Sequence, residues 1–153
     1  MEWERGGYLI SDDRDRVDVE TTWGFLRTSY WSPGVPREVV ERSIAGSLCL
    51  GLYAPDGIQV GFARVVTDRA TFAWLADVFV LEPHRGHGLG VWLVSTVLDH
   101  QDLEAVRAIL LGTADAHELY ARFGFEVPEL GRYMVLRRPL PESYDRSAEK
   151  ATE

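Results

Sequence analysis

One local pattern leaves this chain few choices of fold: Val78-Phe79-Val80-Leu81-Glu82-Pro83-His84-Arg85-Gly86-His87-Gly88-Leu89-Gly90. Its first residues are strand formers, Pro83 forces a turn, and glycines follow at 86, 88 and 90. The apolar repeat of Leu89, Leu93, Val94 and Val97 then has the 3.6-residue period of a helix, expected over residues 86–100. A strand running into a glycine-rich helix start aims successive backbone N–H groups at one point, beside the positive end of the helix dipole. Without Cβ atoms in the way an anion can approach that nest closely, and a pyrophosphate suits it. Two other phosphate loops do not match. A Walker A loop ends in Gly-Lys-Ser/Thr, and a dinucleotide fingerprint has two residues between its second and third glycines in a βαβ unit that opens the chain.

The flanking segments set the architecture. Tyr8 to Ile10 reads as a short strand. Asp18 caps a helix from Val19 to Thr28 that turns Trp23 and Leu26 inward. The loop Tyr30-Trp31-Ser32-Pro33-Gly34-Val35-Pro36 leads to a second helix through Gly46, with Val39, Val40, Ser43 and Ile44 on one face. Strands over residues 48–54, 58–66 and 70–81 form an antiparallel meander, its first turn being Pro55-Asp56-Gly57. A strand over 105–111, a helix over 115–123 closed by Gly124, and a last β segment over 125–137, interrupted at 129–131, complete the order. The expectation is an α/β domain over residues 1–138, with one mixed sheet covered on both faces, and a disordered tail over 139–153.

Composition narrows the function. A chain of 153 residues, 46% hydrophobic and 26% charged, is one globular domain's worth of sequence. Its net charge of -8 repels nucleic acid and anionic membranes. Lys150 is the only lysine, an arginine bias that fits a GC-rich bacterial genome. The single cysteine, Cys49, excludes an internal disulfide and a cysteine-based zinc cluster; on a strand between Leu48 and Leu50 it reads as a small buried hydrophobe. The acidic start has no signal-peptide pattern, and no apolar run approaches the ~20 residues that cross a bilayer. A cytoplasmic location is expected.

Arg85-Gly86-His87-Gly88-Leu89-Gly90 resembles the Arg/Gln-x-x-Gly-x-Gly/Ala signature of the GNAT superfamily of acyl-CoA-dependent N-acetyltransferases. Leu75 to Pro83 resembles its central strand, and Ala116-His117-Glu118-Leu119-Tyr120-Ala121-Arg122-Phe123-Gly124-Phe125 its second block. The likeness in element order spans residues 6–138. It implies the GNAT fold, a mixed, mostly antiparallel sheet whose splayed strands form an acyl-CoA cleft. It also implies that the backbone of Val78, Phe79 and Val80 pairs with the pantetheine amides of acetyl-CoA. The pyrophosphate would lie on Arg85, Gly86, His87, Gly88, Leu89, Gly90 and Val91, and Tyr120 would protonate the departing thiolate. An asparagine common seven residues before that tyrosine is Thr113 here, and Asp115 is the alternative source of its cofactor-side contact.

An acceptor amine must be neutral to attack a thioester. Asp77 is the best-placed carboxylate to take its proton or relay it to water, with its pKa raised by desolvation among Trp74, Leu75 and Phe79; the alternatives are binding a substrate ammonium or a structural hydrogen bond. Tyr30, Trp31 and Trp74 are candidates for an acceptor pocket or for the core. His84, His87, His100 and His117 have no metal-ligand spacing and are expected on solvated turns and helix faces, so no metal is expected. Ser47 lacks a nucleophile elbow. The resulting expectation is transfer of acetyl from acetyl-CoA to a primary amine, of a small molecule rather than a protein, in a ternary complex. The rival readings are a non-catalytic acyl-CoA-binding or sensing module and an acyltransferase with another donor. Homodimers are common among GNAT relatives, although no sequence feature establishes one here.

Overall fold

Six strands form one sheet in the order β1-β2-β3-β4-β5-β6, in a computed structural model that describes residues 1–145. They are β1 (Glu2–Arg5), β2 (Tyr8–Ser11), β3 (Leu48–Tyr53), β4 (Gln59–Thr67), β5 (Phe72–Val80) and β6 (Ala108–Leu111). Neighbours are antiparallel except β5 and β6, which are parallel and joined through a helix, as a parallel connection requires. The helices are α1 (Val19–Leu26), α2 (Arg37–Ala45), α3 (Leu89–Leu98) and α4 (His117–Ala121). No helix among the described residues is long and apolar enough to cross a membrane.

Alternation along the strands builds a core on each face. Leu48, Leu50 and Leu52 of β3 face one core, with Leu89, Leu93, Val94 and Val97 of α3. Cys49 and Phe62 face the other, with Leu26 of α1 and Val40 and Ile44 of α2. The Asp18 carboxylate caps α1 by accepting from the backbone N–H groups of Glu20 and Thr21.

β5 changes phase midway. Ala73 and Leu75 face the α3 core, yet Val80 also faces it while Phe79 faces the α1–α2 core. The cause is a bulge. Arg64 pairs with Ala76 and Phe62 with Phe79, so Asp77 and Val78 together stand opposite Ala63. Asp77 takes φ 54°, a left-handed conformation that an L-residue adopts at a cost of about 1–2 kcal/mol. Its carboxylate holds it there, accepting from Arg64 Nε at 2.6 Å and from Trp31 Nε1 at 3.1 Å. Nearby, a Cβ on Gly61 would stand 2.8 Å from the Phe79 carbonyl oxygen, so β4 needs glycine there.

Several expected elements differ. Glu2–Arg5 forms a strand, turning through Gly6 and Gly7 (φ 58° and 83°) into β2. α3 starts at Leu89 rather than Gly86, because Gly86 and Gly88 have positive φ. The β segment expected over 125–137 is absent: the run pairs with no strand, and it contains a turn closed by Arg132 N–H on the Glu129 carbonyl at 3.1 Å. Within the stretch expected as a tail, Tyr144 packs against the α1–α2 core and Asp145 N–H bonds the Gly34 carbonyl at 2.9 Å. Residues 146–153 of that stretch lie outside the described residues. His100, expected on a solvated surface, is 2% exposed, with Nε2 3.0 Å from an Asp12 oxygen.

Asp77→Ala leaves Arg64 without its partner and keeps the left-handed strain, so it should lose about 3–5 kcal/mol in urea unfolding. Asp77→Gly loses the pair and releases the strain, and should be more stable than the alanine variant by about 1 kcal/mol. Equal stabilities would contradict the positive φ at 77.

Candidate active site

Pairing of β5 with β6 runs from Phe72–Ala108 to Leu75–Leu111 and stops. Beyond Leu75 the two strands splay, and that edge of β5 has no strand partner among the described residues. The Leu81 N–H bonds the Val60 carbonyl across β4. Two-residue alternation therefore turns the backbone groups of Val78 and Val80 toward the opening. The result is a cleft of about 440 Å³ with Val78, Phe79 and Val80 on its floor.

One end of the cleft is the nest. Arg85, Gly86, Gly88, Leu89, Gly90 and Val91 line it. Gly88, at φ 72°, occupies the N-cap without a side-chain acceptor, and the first intrahelical donor is Trp92, to the Gly88 carbonyl at 3.0 Å. The N–H groups of Leu89, Gly90 and Val91 thus have no intrahelical acceptor. A Cβ on Gly86 would meet nothing within 4 Å, so the approach to the backbone is open. Arg85 points part of its guanidinium inward, where Nε donates to the Val80 carbonyl at 2.8 Å and ties the nest to the strand. A second cation comes from β1: Arg5 lies over the Trp92 ring, 6.0 Å from its centroid, with Nη2 3.9 Å from where a Gly88 Cβ would stand.

The other end is made by the β6–α4 connection and the α1–α2 loop. Asp115, Ala116, Leu119 and Tyr120 line it, facing Phe25 and Trp31. Burial, with Tyr30 and Asp115 adding to it, pushes the Tyr120 hydroxyl above its ordinary pKa of 10.0, so it keeps its proton. Tyr30 Oη donates to Asp115 Oδ1 at 3.1 Å and accepts from the Ala114 N–H at 3.0 Å. Together with Trp31 on Asp77, this ties the α1–α2 loop to both rims of the cleft.

Not every expected site residue converges. Val78, Phe79, Val80, Arg85, Gly86, Gly88, Leu89, Gly90, Val91, Trp31 and Tyr120 do. His87 lies off the cleft, with Nδ1 3.4 Å from the His84 carbonyl. Thr113 closes the turn before α4, its Oγ1 accepting from the Ala116 N–H at 3.0 Å, and Asp115 takes the cleft-facing place. Trp74 precedes the bulge and stands half-exposed between Val66 and Leu110, away from the opening. Asp77 meets an ion pair and an indole instead of the expected apolar surroundings, because the bulge turns it toward Arg64 and Trp31. Sequence reasoning missed Arg5, Phe25 and Arg64. Only Arg64 carried a signal, as a lone charge within the apolar run of β4. Among the described residues no group of three or more His, Cys, Asp or Glu side chains is placed to hold a metal ion.

The sequence profile of the acetyltransferase (GNAT) domain matches residues 47–127. A curated Gibberella zeae protein named as a candidate acetyltransferase is 28% identical over 140 residues, covering 78% of this chain and 79% of that protein. Among solved structures, a candidate GNAT-family acetyltransferase from Xanthomonas campestris is 41% identical, with a TM-score of 0.82 over 86% of this chain and 93% of that one. A GNAT acetyltransferase from Elizabethkingia anophelis with acetyl-CoA bound is 13% identical and shares the fold, with a TM-score of 0.64 over 82% of this chain and 80% of that one. Strand splay, glycine nest and buried tyrosine thus sit in a chain whose matched segment contains all three, and the chain belongs to the GNAT acetyltransferase family.

Proposed function

We propose that this acyltransferase moves the acetyl group of acetyl-CoA to a primary amine of a small molecule by direct attack in a ternary complex. The observation that carries the reading is the polarity of the cleft: backbone donors and arginine at one end, a proton-holding tyrosine and a carboxylate at the other. The pyrophosphate takes the spare N–H groups at the start of α3, and the pantetheine arm pairs with the open backbone edge at Val78 and Val80. That places the thioester toward Tyr120, where a main-chain donor of β5 polarises its carbonyl.

The neutral amine attacks the thioester carbon, and the tetrahedral intermediate collapses as the C–S bond breaks. Tyr120 gives its proton to the leaving sulfur. The amine's surplus proton leaves through Asp115 or water, and the tyrosine is reprotonated from solvent. Positioning in the cleft supplies much of the acceleration. Phe25 and Trp31 form an apolar wall beside Asp115, which favours an amine that is cationic in water and carries an apolar body. This arrangement supports an enzyme over a binding module, which needs the nest but no acid.

Three outcomes are expected. Gly88→Glu puts bulk and negative charge into the nest and should weaken acetyl-CoA binding by calorimetry at least ~100-fold, with the fold intact by circular dichroism. Tyr120→Phe should lower kcat by about 10²–10⁴-fold and leave acetyl-CoA affinity nearly unchanged; equal turnover would remove the acid role. The acid acts only when protonated, so its raised pKa moves the alkaline loss of kcat to higher pH. In wild-type enzyme that limb should lie above pH ~10, the value for a free tyrosine. A limb at or below that value would contradict the burial of the hydroxyl.

A further inference from the structure

Arg64 is a costly residue to place where it stands. It lies within β4 between buried Ala63 and Val65, opposite Cys49 of β3 and Ala76 of β5, and its side chain is only 17% exposed. Desolvating a guanidinium and a carboxylate offsets most of their attraction, so such a pair seldom adds net stability over apolar side chains of similar volume. Nor is the pair the only way to hold the bulge, since glycine at 77 takes a left-handed φ without strain. What the pair does supply is direction. Arg64 Nε donates to Asp77 Oδ2 at 2.6 Å while Nη1 donates to the Ser47 hydroxyl at 3.2 Å. A planar guanidinium anchored at two points fixes the carboxylate it meets, and Asp77 Oδ1 is thereby aimed at Trp31 Nε1, 3.1 Å away.

Trp31 depends on that acceptor. Its neighbour on the cleft wall, Phe25, is stacked on Phe79 of β5, with the rings 11° from parallel and their centroids 4.0 Å apart. Trp31 has no such support. It is 40% exposed, meets Tyr30 edge-on at 5.0 Å and meets Phe25 at a tilt at 6.1 Å. A half-exposed indole with only edge and tilted ring contacts takes its orientation from the partner of its N–H.

We propose that Arg64 is a positioning residue for the acceptor: acting through Asp77, it fixes the Trp31 indole as the surface against which the apolar body of the amine binds. The assignment rests on the acetyl transfer proposed above. Arg64 itself is not part of the cleft wall, so its influence reaches the amine only along the chain Arg64–Asp77–Trp31. The donor end is spared, because the nest and its arginines lie at the opposite end of the cleft. Loss of Arg64 therefore weakens the acceptor and leaves the donor's affinity alone.

A double-mutant cycle tests this, read in the acceptor KM with phenethylamine as the probe and thiol release from acetyl-CoA as the signal. Trp31→Phe keeps an aromatic ring and deletes the N–H. Arg64→Lys keeps a cation beside Asp77 and loses the planar two-point anchor. Each should raise the KM for phenethylamine about 10-fold, as expected for one hydrogen bond to a charged group, and Arg64→Lys should bind acetyl-CoA as wild type does by calorimetry. The double variant should show the same rise of about 10-fold rather than about 100-fold, because both substitutions break one chain of contacts; a general loosening of the fold would add to Trp31→Phe instead. If circular dichroism shows that Arg64→Lys does not fold, Ser47→Ala takes its place in the cycle. It removes the second anchor alone and should raise KM about 3-fold, an effect absent once Trp31 is Phe. Additive effects, an unchanged KM in either single variant, or an equal loss of acetyl-CoA affinity would overturn the proposal and leave acetyl transfer standing. A wild type that releases no thiol with phenethylamine would overturn the proposed reaction and this assignment together.

Discussion

The Asp77 carboxylate decides the shape of this molecule's working half. A single extra residue in β5 has to be stored somewhere, and it is stored as a left-handed aspartate braced by Arg64 and Trp31. The bulge exchanges the two faces of the strand, so Phe79 reaches the α1–α2 core and Val80 the α3 core. β6 stops pairing at Leu75, two residues before the bulge. Floor, opening and loop attachment therefore converge on one short stretch, and a small hydrophobic residue at 77 could supply the alternation but not the turn.

Anion binding follows from a different economy of charge. A protein with a net charge of -8 presents an unfavourable overall field to a polyanion. In the proposed function, oriented backbone at the start of α3 offsets that field at fixed geometry, where each hydrogen bond to a charged group contributes about 1.5–3 kcal/mol. Arg85 is partly occupied in holding the Val80 carbonyl, so its role is to keep nest and strand in register as well as to add charge.

The sequence carried the local parts well. The junction at 78–90 and the apolar face of α3 are encoded in contiguous residues whose physics is short-range, and both were legible. β1 was not, because Glu2–Arg5 is a polar strand held by hairpin pairing rather than by burial. The bulge was hidden too: an aspartate in a strand reads as an acid, and only its partner Arg64, thirteen residues away, reveals the backbone state. Trp74 and Trp31 looked equivalent as aromatics near the site, yet register sends one to the outer half of β5 and the other over the opening. Residues 125–137 have strand propensity but no strand pairing, and a local pattern reports propensity rather than pairing.

The α1–α2 loop is fastened twice, Trp31 to the strand and Tyr30 to the connection that carries Tyr120. Under the proposed reaction, those fastenings make the loop a thermodynamic link between donor and acceptor. In the proposed complex, a donor that shifts the spacing of β5 and the start of α4 would move the acceptor wall with it. Linkage is reciprocal: if the donor tightens the acceptor site by some factor, the acceptor tightens the donor site by the same factor. In that proposed complex the coupling would run through two aromatic hydrogen bonds, Trp31 on Asp77 and Tyr30 on Asp115.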